Sequence, residues 1–174
     1  MTPLATRVFI TGMGIISPLG RGVTAHYDSL KENRSGIRPL DLFEPQGGPT
    51  LPVGGIAGFE QKAAVPRTHE LAIEAARDAL AGSEATPNAI IIGTTTGGMP
   101  ATESLLKSGE SDPALYRHHS PSSVAEYCAG LLGCRGLVIT VTTACSSGTA
   151  AIKLAYELIR SGRAQRVLAG GVDA

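Results

Sequence analysis

Val138-Ile139-Thr140-Val141-Thr142-Thr143-Ala144-Cys145-Ser146-Ser147-Gly148-Thr149-Ala150-Ala151 is the stretch that decides the fold. A β-branched, apolar run stops at a cysteine, and a small-residue run of helical character starts right after it. This reads as a strand–turn–helix elbow with a thiol at its apex. The unpaired N–H groups and macrodipole of a helix start favour negative charge. They therefore favour the thiolate, which is the nucleophilic form of cysteine. The pattern points to Cys145 as a residue that forms a covalent intermediate, a thioester. Cys128 sits in a helical pattern with Val124, Leu131 and Leu132 and reads as a small buried hydrophobe. Cys134 lies in a Gly-flanked turn.

Working outward, the elements alternate. Arg7 to Gly12, Ala89 to Gly93, Leu137 to Thr142 and Arg166 to Gly170 read as short apolar strands. Helical patterns cover Thr24 to Glu32, Arg67 to Leu80, Ser122 to Leu132 and Gly148 to Ser161, with a helical turn at Ala101 to Lys107. Gly36 to Phe59 is rich in Gly and Pro and reads as loop with short extended pieces. Continuous apolar strands separated by helices predict an α/β fold whose mostly parallel sheet is flanked by helices on both faces. In the helix after Cys145, Gly148, Ala150 and Ala151 are small. Ile152, Leu154, Ala155, Leu158 and Ile159 spread around much of its circumference, which predicts a buried nucleophile helix.

Composition narrows the function. The chain has 174 residues, one domain of ordinary size or part of a larger one. It is 43% hydrophobic and only 17% charged, so it has a real core and buries further surface against a missing segment or a partner. Lys+Arg and Asp+Glu both total 15, and no basic patch predicts nucleic-acid binding. Three cysteines make neither a disulfide framework nor a zinc spacing, so reduced thiols, a cytoplasmic setting and no metal are expected. No stretch approaches the length of a membrane span, and the N-terminus lacks a signal-peptide pattern.

Other motifs carry less. Gly12-Met13-Gly14 is not completed as G-x-G-x-x-G, because Ser17 and Pro18 follow, so a structural glycine turn is expected and no cofactor. Gly93-Thr94-Thr95-Thr96-Gly97-Gly98 lacks a Gly-Lys-Ser/Thr ending and reads as a loop passing close to a site. His118-His119 reads as a solvated loop pair. His26 and His69 read as partly exposed helix positions, and none of the four is an obvious base for Cys145.

Three segments carry a resemblance. They are Arg7-Val8-Phe9-Ile10-Thr11-Gly12-Met13-Gly14-Ile15-Ile16-Ser17-Pro18-Leu19-Gly20, Thr143-Ala144-Cys145-Ser146-Ser147-Gly148, and Ala155 to Ala174 with its Ala169-Gly170-Gly171-Val172-Asp173-Ala174 end. In this order they resemble the opening strand and turn, the active-site signature and the stretch after it in β-ketoacyl-acyl-carrier-protein synthases of the elongating type. The resemblance implies residues 1–174 as the N-terminal half of a thiolase-like fold, in which two similar α/β halves stack in five layers around two buried helices. It implies that Cys145 takes an acyl chain from an acyl carrier protein. Malonyl-carrier-protein then loses carbon dioxide and attacks. The Cys145 N–H is implied as an oxyanion-hole donor.

The resemblance places the family's two histidines and lysine in a second, C-terminal half, with no counterpart in this chain. The expectation is a fragment, a partial sequence or half of a split enzyme, assembled as a homodimer or heterodimer. Part of the acyl-pocket wall would come from a partner, somewhere in Met99 to Tyr127. The segment Gln61 to Arg67 is shorter than the family's. Two other readings stand beside this one. One is a noncatalytic, chain-length-factor-like partner subunit, although such members carry glutamine where this chain has Cys145. The other is an acyltransferase or thioester hydrolase using the same elbow without decarboxylation.

Overall fold

Ala89–Gly93 is the centre of the molecule: all five residues are buried. The computed structural model describes residues 7–41, 47–48, 50–59 and 65–174. In chain order its strands and α-helices are β1 (Ile16–Ser17), β2 (Gly20–Arg21), α1 (Gly22–Lys31), β3 (Arg38–Pro39), β4 (Pro52–Val53), α2 (Arg67–Leu80), β5 (Ala89–Gly93), α3 (Met99–Lys107), α4 (Ser122–Leu132), β6 (Leu137–Val141), α5 (Ser147–Arg160) and β7 (Val167–Gly171). The main sheet runs β6-β5-β7, with β5 parallel to both neighbours. A strand covered on both faces needs apolar side chains in both directions, and Ala-Ile-Ile-Ile-Gly supplies them.

The period of two along β5 sorts the core. Ile90 and Ile92 face α2 and α4, packing with Ala72, Ile73, Val124, Ala125, Cys128 and Ala129. Ala89 and Ile91 face α5, packing with Ala151, Ala155 and Leu158. Gly93 falls on the same face, under the start of α5. A Cβ there would stand 2.3 Å from the Ser147 carbonyl carbon and 2.6 Å from the Gly148 nitrogen. Gly171 repeats this on β7, where a Cβ would approach the Gly148 Cα to 2.8 Å. Small residues at both strand ends let the helix start rest directly on backbone.

Two expectations require correction. Arg7 to Gly12 forms no strand. The run has no ladder partners, and Phe9 and Ile10 are 65% and 81% exposed. It lies on α2 instead, where a Cβ at Gly12 or Gly14 would come within 2.0 Å of the Ala79 oxygen or 1.9 Å of the Ala75 oxygen. The glycines serve close packing on a helix rather than a turn. An apolar run becomes a strand only beside an available edge, and the described residues bring none to it. Helix α5 also differs from a helix buried all round. Its sheet-facing side is covered, while Ile152 and Tyr156 on the outward side are 56% and 42% exposed.

The remaining expectations shift slightly. The helix expected from Thr24 begins at Gly22, and the side it buries is His26 and Ser29, leaving Tyr27 and Leu30 exposed. Those two polar residues bind the β1–β2 hairpin, with Ser29 Oγ donating to the Leu19 oxygen at 3.2 Å. The turn expected from Ala101 starts at Met99, with Pro100 in its first turn, where the missing N–H costs nothing. The shortened segment beginning at Gln61 lies largely outside the described residues. No helix among the described residues is long and apolar enough to cross a membrane.

Candidate active site

Strands β5, β6 and β7 are parallel, so their carboxyl ends open on one side of the sheet. That side is where ligands bind in open α/β sheets. The chain leaves β6 at Val141 and turns through a 3-10 turn, Ala144–Ser146, into α5. Ala144 has φ 52°, in the left-handed region that a non-glycine residue seldom occupies. The kink puts Cys145 at the apex, with its side exposed.

Local side chains hold the kink. Ser147, itself buried, accepts the Thr143 N–H at 2.8 Å and donates to the Ala144 oxygen at 2.8 Å. Ser146 Oγ donates to the Thr143 oxygen at 2.8 Å. Hydroxyls at a helix start favour such back-bonding over an uninterrupted helix. The sequence marked Cys145 as the apex but did not assign this work to Ser146 and Ser147. The signal was present as two serines between a strand and a helix.

A second missed feature stands next to the elbow. The Thr94 N–H donates to the Val141 oxygen at 3.1 Å, and the Val172 N–H donates to the Gly93 oxygen at 2.9 Å. These bonds fasten the ends of all three strands together. Just beyond them, Asp173 Oδ1 accepts from Thr94 Oγ1, the Thr95 N–H, the Thr96 N–H and Thr96 Oγ1, each at 2.8 Å. Burial pushes this carboxyl up. The amides of Thr96 and Thr95 and the hydroxyls of Thr94 and Thr96 outweigh it and hold the group below the usual aspartate value. The loop read from Gly93 to Gly98 therefore does border the elbow.

The histidines lie elsewhere. His26 is buried, not partly exposed: its Nδ1 donates to the Gly22 oxygen at 2.8 Å, and Ser17 Oγ stands 2.6 Å from Nε2. His69 is wholly buried, with Nε2 2.9 Å from Ser123 Oγ and its ring centroid 4.7 Å from that of His118. His118, in the turn before α4, is only half-exposed, and its ring stands edge-on to those of His69 and Tyr127. His119 is exposed, with Nδ1 3.2 Å from Thr102 Oγ1. No histidine among the described residues is bonded to Cys145. Cys128 is wholly buried, and burial pushes its thiol up to about 11, which removes it as a nucleophile. Among the described residues no group of three or more His, Cys, Asp or Glu is arranged to hold a metal ion.

Residues 5–174 match the model of the beta-ketoacyl synthase N-terminal domain. Nodulation protein E of Rhizobium meliloti is 37% identical over 97% of this chain and 47% of its own length. The 3-oxoacyl-[acyl-carrier-protein] synthase 2 of Synechocystis is 28% identical over 97% of this chain and 45% of its own. Among solved structures, the ishigamide ketosynthase/chain length factor superposes with a TM-score of 0.80 at 30% identity, covering 95% of this chain and 47% of that one. The chain spans about half the length of the curated relatives it matches. The parallel sheet and its covering helices are the thiolase-like α/β arrangement of these synthases, and the chain belongs to the beta-ketoacyl synthase family, whose N-terminal domain it matches.

Proposed function

We propose that this chain supplies the nucleophile of a β-ketoacyl-acyl-carrier-protein synthase, and that Cys145 is that nucleophile. One observation carries the reading: Cys145 is the exposed apex of a kinked elbow, at the carboxyl end of a parallel sheet and the start of α5. In the proposed reaction the Cys145 thiolate attacks the carbonyl carbon of an acyl-carrier thioester. The oxyanion that forms is held by the Cys145 N–H and a further donor. The intermediate collapses with the carrier thiolate as leaving group, which takes up a proton, and Cys145 keeps the acyl chain as a thioester. Malonyl-carrier-protein then loses carbon dioxide. The resulting enolate carbon attacks the Cys145 thioester, and the thiolate leaves as the new carbon–carbon bond forms.

Stabilising that enolate needs positioned donors. The histidines of the described residues are committed to other contacts, so the proposal assigns those donors to a further segment or chain. Acyl carrier protein and a second synthase chain are its proposed partners. The free thiols at 128, 134 and 145 suit the reducing cytoplasm in which it is proposed to act. The test is acylation. The protein is incubated with an acyl-carrier thioester and digested for mass spectrometry. The acyl mass is expected on Cys145 alone and is expected to vanish in Cys145→Ala. A label on Cys128 or Cys134 instead overturns the assignment.

A further inference from the structure

The knot beyond β5 and β7 has no assigned part in the chemistry, yet it borders the elbow on the open side of the sheet. Four donors converge on one oxygen of Asp173: two amides and two hydroxyls, from three consecutive residues, Thr94, Thr95 and Thr96. A neutral acceptor would bind each more weakly, because hydrogen bonds to an ionised carboxylate are about twice as strong as neutral ones. The turn this fixes is not remote from the thiol. Thr94 bonds the last residue of β6, and Gly93 lies under Ser147 and Gly148 at the start of α5. On its other side the turn abuts the segment before α4. A Cβ at Gly97 would come 2.9 Å from the Pro121 Cα, and one at Gly98 would come 2.0 Å from the His118 oxygen. The turn is therefore clamped between the His118–Pro121 segment and the Asp173 carboxylate, with the Cys145 elbow alongside.

Resting on the reading of Cys145 as the acyl acceptor, we propose that Asp173 is a positioning residue for acyl transfer: its carboxylate holds the Thr94–Gly97 turn as a wall beside the thiol, and through it sets how an incoming acyl thioester is seated. Asp173 is bonded to the turn and not to the thiol. Its effect passes through Thr94 and Thr96, and it concerns seating the substrate more than the reactivity of sulfur.

The test uses Asp173→Asn, which keeps the shape and removes the charge, and Thr96→Val, which keeps the shape and removes one donor. Two rates are followed in the purified protein: acylation of Cys145 by a small acyl thioester over a concentration series, and alkylation of Cys145 by iodoacetamide. In Asp173→Asn the thioester concentration for half-maximal acylation is expected to rise about 10-fold, with the maximal rate falling less than about threefold. Alkylation is expected to stay within about twofold, since a small reagent needs no seating. Thr96→Val is expected to shift the half-maximal concentration in the same direction, and the double variant is expected to be no worse than Asp173→Asn, because the two act through one contact. An unchanged concentration dependence, or equal losses in acylation and alkylation, overturns the positioning role while leaving Cys145 as nucleophile. An unsubstituted protein that is alkylated at Cys145 but never acylated overturns the proposed function, and this inference with it.

Discussion

Ala144 carries the cost of the elbow. A non-glycine residue in the left-handed region is disfavoured by roughly 1–2 kcal/mol, and three hydroxyl-mediated bonds from Ser146 and Ser147 offset it. Ser147→Ala removes the acceptor of the Thr143 N–H and the donor to the Ala144 oxygen. We expect a loss of about 1–2 kcal/mol in urea unfolding, together with slower, less selective alkylation of Cys145. Unchanged values in both assays would show that the serine does not hold the kink. His69 gives a pH prediction at the same scale. Burial, and then the charge of nearby His118, lowers its pKa to about 4. Its ring faces Ser123, His118 and Tyr127, and Arg117 stands beside His118. An unfolded histidine titrates near 6.5, so between about 4 and 6.5 the unfolded chain binds a proton that the folded chain does not. Stability therefore rises with pH through that window, is complete above it and is lost as pH falls, by at most about 1.4 kcal/mol per pH unit. Urea midpoints at pH 5 and pH 7 should show the difference, and His69→Gln should shrink it.

At the scale of elements, α5 sits on glycine. Gly93→Ala places a methyl against the Ser147 carbonyl and the Gly148 nitrogen, which are backbone atoms that cannot rotate away. Overpacking of this kind costs typically about 1–3 kcal/mol, and chemical denaturation should register it before any change in thiol chemistry is interpreted. Ala151→Leu should behave likewise, because Ala151 is fully buried against the sheet. Wild-type stability in both variants would mean that α5 does not rest on the strand ends as described. The elements most legible in the sequence are those whose pattern is set locally. Helices α2 and α4 and strand β5 fall on the expected residues, because amphipathic period and continuous apolar runs need no knowledge of neighbours. The opening run has the pattern of a strand and forms none, because pairing depends on an edge that local pattern does not reveal. The burial of His26 and His69 is not legible locally, because their partners Ser17 and Ser123 lie 9 and 54 residues away. The strand–turn–helix elbow that carries Cys145 is legible in the sequence, because the apolar run and the small-residue run that follow each other there are both local. The Asp173 knot is not, since its bonds join residues 77 to 79 positions apart.

The whole molecule exposes what an assembly would cover. Phe9 and Ile10 lie open on a segment without ladder partners, β7 ends the described sheet with its outer edge unpaired, and Ile152 and Tyr156 project from the outward side of α5. Open strand edges and exposed apolar side chains favour association. The thiol is in place, but no histidine of the described residues reaches it to stabilise an enolate. These two facts predict the behaviour of the 174 residues purified alone. They should self-associate in light scattering and accept an acyl group on Cys145 slowly but measurably. They should release no carbon dioxide from malonyl-carrier-protein, because decarboxylation without positioned donors gains nothing from the thiol. Supplying a segment equivalent to the remaining half of the relatives should lower the scattering and start carbon dioxide release together, since the same docking covers the apolar surface and delivers the donors. Restored monodispersity without carbon dioxide release would separate the two roles and show that the partner covers the surface without completing the site. Robust β-ketoacyl product from the isolated chain would place the missing donors among His26, His69, His118 and His119 after all.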